Sequence, residues 1–262
     1  MGELDGNVAI IVGAGPGIGR ACAQRLGDAG ADLVLVARRP EALRALANDV
    51  RKSTGRQVLA LPGDLGDVDA CKGLISEAVK TLGRVDIVVN VATYSSGADP
   101  VIDADWQAWR TAFEVNVVGT LEVSRCAARS MQEQGGGAIV QIATLGMHSL
   151  VPKRAAYNST KQAMVTASKT MARELGRHGI RVNIVTPGFT TGEGLDQLWS
   201  EIGESTGRSA ADIEKAAAQT AALKRHVDPE DIADAVYFLA SPRAKNVTGM
   251  EIIVDAGQHI GG

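Results

Sequence analysis

A tyrosine and a lysine lie four residues apart in the segment Tyr157-Asn158-Ser159-Thr160-Lys161. On a helix, this spacing places both side chains on one face. A phenol with a pKa of about 10 exchanges protons poorly at neutral pH, and a nearby ammonium group lowers that pKa because it stabilises the phenolate. The pair therefore predicts acid–base chemistry in which Tyr157 transfers a proton and Lys161 makes the transfer easier.

These two residues need a scaffold, and the hydrophobic pattern predicts one. Short β-branched apolar runs alternate with longer segments of helical period. We predict strands at residues 8–12, 32–37, 57–61, 85–90, 138–142, 180–186 and 251–254. We predict helices near residues 17–30, 41–53, 67–82, 103–134, 155–177 and 229–240. This alternation is typical of a single-domain α/β fold over residues 1–262, a doubly wound parallel sheet of about seven strands with helices on both faces.

The composition argues against several other classes of protein. The 262 residues carry a formal net charge of −3 and 3% aromatic residues, which disfavours a nucleic-acid-binding surface. Cys22, Cys71 and Cys126 are far apart and odd in number, which disfavours a disulfide framework and indicates a reducing compartment. The histidines show no ligand spacing, so we expect no catalytic metal. Without a signal-peptide pattern or a long apolar run, we expect a cytoplasmic protein with no membrane contact.

A glycine-rich turn joins the first predicted strand to the first predicted helix, in the segment Gly13-Ala14-Gly15-Pro16-Gly17-Ile18-Gly19. Glycines let the backbone approach a pyrophosphate, and a helix N-terminus offers free N–H groups with partial positive charge. We therefore predict cofactor contacts at Gly13, Gly15, Gly17, Ile18 and Gly19. The spacing is G-x-x-x-G-x-G, since the third glycine of the commoner G-x-G-x-x-G fingerprint would fall on Ile18.

This glycine spacing, followed by the Tyr157–Lys161 pair, resembles the short-chain dehydrogenase/reductase family, and the resemblance runs from end to end of the chain. It is similar to the branch that includes 3-oxoacyl carrier-protein reductases and bacterial secondary-alcohol dehydrogenases, notably in residues 228–241, Thr248-Gly249 and Val254-Asp255. The resemblance implies a Rossmann-like fold and hydride transfer between NAD(P) and a carbonyl or secondary-alcohol substrate. It also implies a homotetramer.

The resemblance implies roles for two further catalytic residues. Thr144 lies where the family has a serine whose hydroxyl orients the substrate oxygen toward the tyrosine. Threonine keeps that hydroxyl and adds a methyl group that stiffens the side chain. Asn116 matches an asparagine that relatives use to hold a water molecule behind the lysine. We therefore expect a catalytic set of Tyr157, Lys161, Thr144 and Asn116, with Lys161 also holding the nicotinamide ribose.

The end of the second predicted strand bears on the choice of cofactor. An acidic residue at this point would bind the ribose 2′-hydroxyl of NAD. The sequence has Ala37 there, followed by Arg38 and Arg39, which are able to clamp a 2′-phosphate. We therefore favour NADP(H) over NAD(H). The alternative is that both arginines are solvated and the enzyme uses NAD; Pro16 stands where NADP-preferring relatives often carry a basic residue.

Further cofactor contacts follow from the family pattern. Asp64 and Leu65 follow the third strand, where an aspartate bonds the adenine edge; without the resemblance, Asp64 is equally a helix cap. Asn90 and Ala92 match the family segment Asn-Asn-Ala-Gly, and Asn90 is interpreted mainly as structural. Thr93 departs from that segment and adds bulk in place of glycine.

The region after the sixth strand is expected to meet the nicotinamide. Pro187 and Gly188 match a Pro-Gly turn, and Thr190 is a candidate replacement for a threonine that the family has at the position of Gly192. Thr191 is the other candidate. Residues 190–226 are either a substrate lid or a plain surface excursion, and the family favours the lid.

The sequence leaves the roles of two side chains near the predicted site undecided. His148 either lines the pocket or forms an ordinary polar wall, and Arg154 either meets an anionic substrate group or is simply solvated. A catalytically silent, cofactor-binding regulator is a rival to any enzyme, but such proteins typically lose the tyrosine or the lysine. The sequence does not identify the substrate or the direction of the reaction.

Overall fold

A parallel sheet forms the centre of the computed structural model, which describes residues 2–260. Met1, Gly261 and Gly262, the outermost residues of the predicted domain, lie outside the described part. Within that part the strands are β1 (Val8–Val12), β2 (Asp32–Ala37), β3 (Val58–Pro62), β4 (Ile87–Asn90), β5 (Gly137–Ile142), β6 (Ile180–Pro187) and β7 (Glu251–Val254). Their order is β3-β2-β1-β4-β5-β6-β7, and every pair is parallel. The predicted fold class is confirmed.

Helices cover both faces of this sheet. They are α1 (Ile18–Asp28), α2 (Pro40–Thr54), α3 (Val68–Leu82), α4 (Trp106–Phe113), α5 (Thr120–Gln134), α6 (Gly146–Ser149), α7 (Ala155–Leu175), α8 (Glu193–Thr206), α9 (Ala210–Ala218) and α10 (Pro229–Ala240). Short 3₁₀ turns lie at Val101–Asp103, Gly176–His178 and Pro242–Ala244.

The central strand β1 shows why its sequence is apolar at every position. All five of its residues are buried, and successive side chains enter opposite faces. Ile11 packs into one apolar cluster with Leu26 of α1 and Ile232 of α10. Ile10 packs into the other, with residues of α3 and α5 such as Met131. Burial on two faces therefore leaves no polar position in the strand.

The long helix predicted over residues 103–134 is divided in the structure. Asp105 caps α4 by accepting a hydrogen bond from the Gln107 amide at 2.8 Å, so the helix begins after the predicted start. A wide π-helical turn, Glu114–Gly119, then separates α4 from α5. The Thr120 hydroxyl donates to the Val115 carbonyl at 3.1 Å, a contact that spans the wider turn. Such turns recur at functional sites, and this one contains Asn116.

Residues 190–226 leave the sheet and return to the same place. Thr190 forms an isolated parallel bridge with Val227, and the Thr191 amide donates to the Val227 carbonyl at 2.9 Å. Between these points, α8 and α9 pack on each other through Leu195, Trp199 and Ile213. The excursion therefore has a pinned base and a small apolar cluster of its own.

Candidate active site

A cleft of about 950 Å³ opens at the carboxyl ends of the strands. It lies at the switch point between β1 and β4, where the chain turns from one half of the sheet to the other. The glycine turn, the end of β2, the loop after β3 and the segment after β4 contribute lining residues. These include Gly13, Gly15, Ile18, Gly19, Arg38, Arg39, Asp64, Leu65, Ala92, Thr93 and Tyr94.

The glycine turn leaves backbone donors free at one wall of this cleft. The amides of Gly17, Ile18 and Gly19 have no hydrogen-bond acceptor among residues 2–260, while the Arg20 amide donates to the Gly15 carbonyl at 2.9 Å. Gly13 has a φ of +91°, and a side chain there would overlap the Ala92 backbone. A side chain at Gly15 would meet no atom within 4 Å, so this position faces open space. Unpaired N–H groups at a helix N-terminus suit a pyrophosphate, so the residues present fit a dinucleotide.

The two arginines and Asp64 mark the other end of the cleft. Arg38 and Arg39 are exposed, and neither side chain has a hydrogen bond or an ion pair with any residue from 2 to 260. Asp64 is not the cap of α3, because Asp67 takes that role by accepting from the Asp69 and Ala70 amides. One oxygen of Asp64 accepts from the Gly66 amide at 2.9 Å. Its other oxygen accepts no hydrogen bond from residues 2–260, and its contact with a cofactor stays a prediction.

Asn90 lies outside this cleft, in a buried polar network. Its amide donates to the Ser124 hydroxyl at 3.0 Å, and Gln141 donates to the same oxygen at 3.0 Å. Asn90 thus ties β4 to α5 and β5, which agrees with its structural interpretation. Its neighbour Ala92 does line the cleft.

Helix α7 presents Tyr157 and Lys161 on one face. Lys161 is buried, and its ammonium group donates to the Ile142 carbonyl at 2.8 Å. Burial lowers the pKa of Lys161 from 10.5 to about 8, because the charged form loses its hydration. The position of Lys161 is therefore fixed against the last residue of β5.

Two threonine hydroxyls and one arginine affect the Tyr157 phenol. Burial raises its pKa, whereas hydrogen bonding to Thr144 and Thr93 and the charge of Arg154 lower it. The Thr144 hydroxyl is thus near the phenol, and it also accepts from the Gly146 amide at 3.2 Å. Its role in orienting a substrate stays a prediction. The charge that acts on the phenol here is that of Arg154, so the predicted influence of Lys161 stays a prediction.

Asn116 holds the segment after β4 against α7. Its amide donates to the Tyr94 carbonyl and to the Thr160 hydroxyl, each at 3.0 Å. Its carbonyl oxygen accepts from the Tyr94 amide at 2.7 Å and from the Thr93 hydroxyl at 3.2 Å. Both amide hydrogens are therefore donated to protein atoms. The predicted water behind Lys161 stays a prediction and would need a different donor.

Sequence reasoning missed the part that Thr93 plays. Its hydroxyl donates to Asn116 and lowers the pKa of the nearby Tyr157 phenol, and its side chain lines the 950 Å³ cleft. The signal in the sequence was the threonine itself, which stands where the resembling family has glycine.

The predicted nicotinamide contacts form a separate group at the end of β6. The Pro187 carbonyl accepts from the Leu145 amide at 2.9 Å, which joins this strand end to the loop that carries Thr144. The Thr190 hydroxyl donates to the Gly188 carbonyl at 3.1 Å. Pro187, Gly188 and Thr190 do not line the 950 Å³ cleft. Their contact with a cofactor stays a prediction.

Thr191 and His148 have structural partners. The Thr191 hydroxyl donates to Asp228 at 2.6 Å, at the N-terminus of α10. The His148 ring lies 2.7 Å from a Glu251 oxygen that also accepts from Thr186 at 2.8 Å. Both threonine candidates thus have a protein partner for their hydroxyl, and His148 joins α6 to β7.

Comparison with known proteins identifies the family. A family model described as enoyl-(acyl carrier protein) reductase matches residues 13–259. The chain is 33% identical to a short chain dehydrogenase/reductase, astE, from Aspergillus oryzae, over 97% of this chain and 95% of that protein. The chain therefore belongs to the short-chain dehydrogenase/reductase family. It is an oxidoreductase of that family acting on CH–OH or C=O groups.

Solved structures agree with this assignment. L-sorbose reductase from Gluconobacter frateurii, in complex with NADPH and L-sorbose, superposes with a TM-score of 0.93 at 30% identity, covering 99% of this chain and 98% of that one. Carveol dehydrogenase from Mycobacterium avium, in complex with NAD, also gives 0.93, at 28% identity and with 99% and 100% of the chains covered. The fold is thus shared by proteins that bind either cofactor.

Two kinds of site are not found among residues 2–260. Across residues 2–260, no three His, Cys, Asp or Glu side chains are grouped so that they could hold a metal ion. No helix in that range has the length and apolar character required to span a membrane.

Proposed function

We propose that this protein is an NADP(H)-dependent oxidoreductase that interconverts a carbonyl compound and a secondary alcohol, with Tyr157 as its proton-transferring residue. The observation that carries the proposal is the position of the Tyr157 phenol. The hydroxyls of Thr144 and Thr93 lie near enough to the phenol to lower its pKa, and Thr93 lines the cleft whose glycine turn leaves three backbone amides without a partner among residues 2–260.

Hydride is supplied or accepted by the bound nicotinamide cofactor. In the reductive direction Tyr157 donates its proton to the oxygen that gains charge, and in the oxidative direction it removes the hydroxyl proton. Thr144 orients that oxygen by hydrogen bonding. Lys161 is held by the Ile142 carbonyl, and when it is protonated its positive charge favours the phenolate form of Tyr157. Asn116 holds Thr93 and Tyr94 in place, so the phenol meets a fixed set of hydroxyls.

The preference for NADP(H) rests on Arg38 and Arg39. Both line the cleft next to β2, and neither has an acidic partner among residues 2–260. Ala37 leaves no carboxylate to bind a 2′-hydroxyl or to repel a 2′-phosphate. No contact that Ala37, Arg38 or Arg39 makes with residues 2–260 favours the alternative cofactor, NAD(H).

The experiment is to assay a panel of ketones, 3-oxoacyl thioesters and sugars by consumption of NADPH or NADH. The proposal predicts turnover that falls about 100- to 10,000-fold in Tyr157→Phe, because the proton donor is lost. Tyr237→Phe is the matched control, since Tyr237 lies on α10 and bonds Glu3. Full activity of Tyr157→Phe on every accepted substrate would refute the mechanism. A tenfold preference for NADH would refute the cofactor assignment.

Residues 190–226 are proposed as the substrate lid. Gly194, at the start of α8, lines the cleft, and the segment is pinned at its base by Thr190 and Val227. An excursion held at its base and resting on the cleft is suited to open and close over it. Limited proteolysis with and without NADPH tests this: protection of residues 190–226 by the cofactor is expected.

A cytoplasmic homotetramer completes the proposal. Cys22, Cys71 and Cys126 are all free thiols in the described chain, which suits a reducing compartment. The tetramer follows from the family alone, and light scattering on the purified protein tests it. A monomer at assay concentration would contradict it.

A further inference from the structure

Arg154 lies directly beside the proton-transferring residue. Its guanidinium carbon is 5.0 Å from the centre of the Tyr157 ring, close enough for a cation–π contact. One guanidinium nitrogen donates to the Ser95 hydroxyl at 3.1 Å. The side chain therefore spans from α7 to the segment after β4, at the edge of the site.

The charge of Arg154 is not neutralised by the protein. Among residues 2–260 no carboxylate lies within 4.0 Å of it, whereas Arg84 and Arg125 each pair with an acid at 2.6 Å. Nor does any acid act on the Tyr157 phenol: the charged group that affects it is Arg154. The site thus carries a positive charge against the Tyr157 ring that no acid pairs with directly, although Asp99 and Asp105 line a small pocket beside Ser96 and Lys153.

Donors for a ligand are left over. A guanidinium has five N–H groups, and Ser95 takes one of them. Because the Ser95 oxygen accepts from Arg154, its own O–H is free to donate in turn. Ser95 is exposed and Arg154 is half-buried, so both are open to a molecule that enters beside Tyr157.

We propose that Arg154, with Ser95, binds a carboxylate group of the substrate, so that the enzyme prefers carbonyl or alcohol compounds that carry a carboxylate a few bonds from the reacting carbon. A planar guanidinium matches the two oxygens of a carboxylate, which no neutral ketone or sugar offers. The proposal deepens the proposed function, on which it rests, by naming a substrate class.

The test measures binding rather than turnover. Pyruvate, acetoacetate and levulinate are each compared with their methyl esters by calorimetry in the presence of NADP⁺, which cannot reduce a ketone. Wild type is expected to bind at least one acid tenfold or more tightly than its ester. Arg154→Gln, which keeps a polar side chain and removes the charge, should lose that preference. Arg173→Gln, at an exposed arginine of α7, the helix that Arg154 precedes, should keep it.

Two results would overturn the proposal: no acid binds wild type more tightly than its ester, or Arg154→Gln keeps the preference. Ser95→Ala serves as a milder variant and should weaken acid binding by a few-fold. Failure of the proposed function would look different, since it would appear as absent NADPH and NADH consumption and as a Tyr157→Phe variant no different from wild type.

Discussion

The Thr93 hydroxyl donates to the Asn116 carbonyl oxygen at 3.2 Å and lies near enough to the Tyr157 phenol to lower its pKa. When the phenol loses its proton, this hydroxyl is able to turn and donate to the phenolate. The Asn116 carbonyl oxygen then loses the hydrogen bond from Thr93, but it keeps the one from the Tyr94 amide at 2.7 Å.

Replacing Thr93 with valine should therefore raise the pKa of Tyr157. The shape is kept and the donor is lost, and a hydrogen bond to a charged group is worth about 1.5–3 kcal/mol, so its loss disfavours the phenolate. Absorbance titration at the tyrosinate band measures this, with Tyr157→Phe identifying the signal. Thr93→Ser, which keeps the hydroxyl, should titrate like wild type; a valine variant that does so would rule out the contact.

Lys161→Met should stabilise the folded protein while it abolishes turnover. The pKa of this lysine falls from 10.5 unfolded to about 8 folded, so its charged form is penalised by burial. The penalty is present in full below pH 8 and is relieved as pH rises toward 10.5, where both states are neutral. After allowing for the lost bond to Ile142, the gain near pH 7 is about 2 kcal/mol. Urea unfolding at several pH values measures it, and the gain over wild type should shrink toward pH 10.5.

Two alanine substitutions in the glycine turn should separate folding from cofactor binding. Gly15→Ala meets no protein atom within 4 Å and should unfold like wild type, yet bind NADPH more weakly because its methyl group enters the cleft. Gly13→Ala requires a φ of +91° and overlaps Ala92, so it should lose about 2 kcal/mol or more of stability. Urea denaturation and a fluorescence titration with NADPH give the two readouts. Equal loss of stability in both variants would contradict the assignment of Gly15 to the cleft.

Loss of the arginines should affect one cofactor and not the other. Arg38→Ala and Arg39→Ala are each expected to lower kcat/KM for NADPH about 10- to 100-fold, the worth of a charge-assisted hydrogen bond, with little change for NADH. Arg44→Ala is the control, since Arg44 is exposed on α2 and does not line the cleft. An equal effect on both cofactors would show that the arginines do not act through the 2′-phosphate.

The fold was predictable because the buried strands are written in the sequence as continuous apolar runs. Residues 8–12 and 32–37 match β1 and β2 at both ends, and the predicted start of α10 is confirmed by the capping box of Asp228 and Asp231. The π-helical turn was not predictable, because helical periodicity carries no signal for a single wider turn. Its bond from Thr120 to Val115 belongs to the folded chain alone.

The site was predictable where motifs are local and not where it is assembled from distant segments. Tyr157 and Lys161 share one helix, so their spacing is enough to place them together. Thr93 and Asn116 are 23 residues apart, and Arg154 and Ser95 are 59 apart. These contacts depend on the order in which β4 and β5 lie side by side. The family pattern located Thr93 but supplied no role for it, because glycine has no side chain to compare.

The π-helical turn places two requirements on one short stretch of chain. Asn116 in this turn fixes Tyr94, while Gly119, three residues on, lies so close to the Leu65 backbone that no side chain would fit. Deleting one residue here to restore a regular helix would rotate everything on one side of it by about 100°. Either the end of the cleft at Leu65 or the segment at Tyr94 would then lose its position. The length of this segment therefore fixes the helical rotation of the chain on both sides of the turn. A change in length that suited one end of the active site would displace the other.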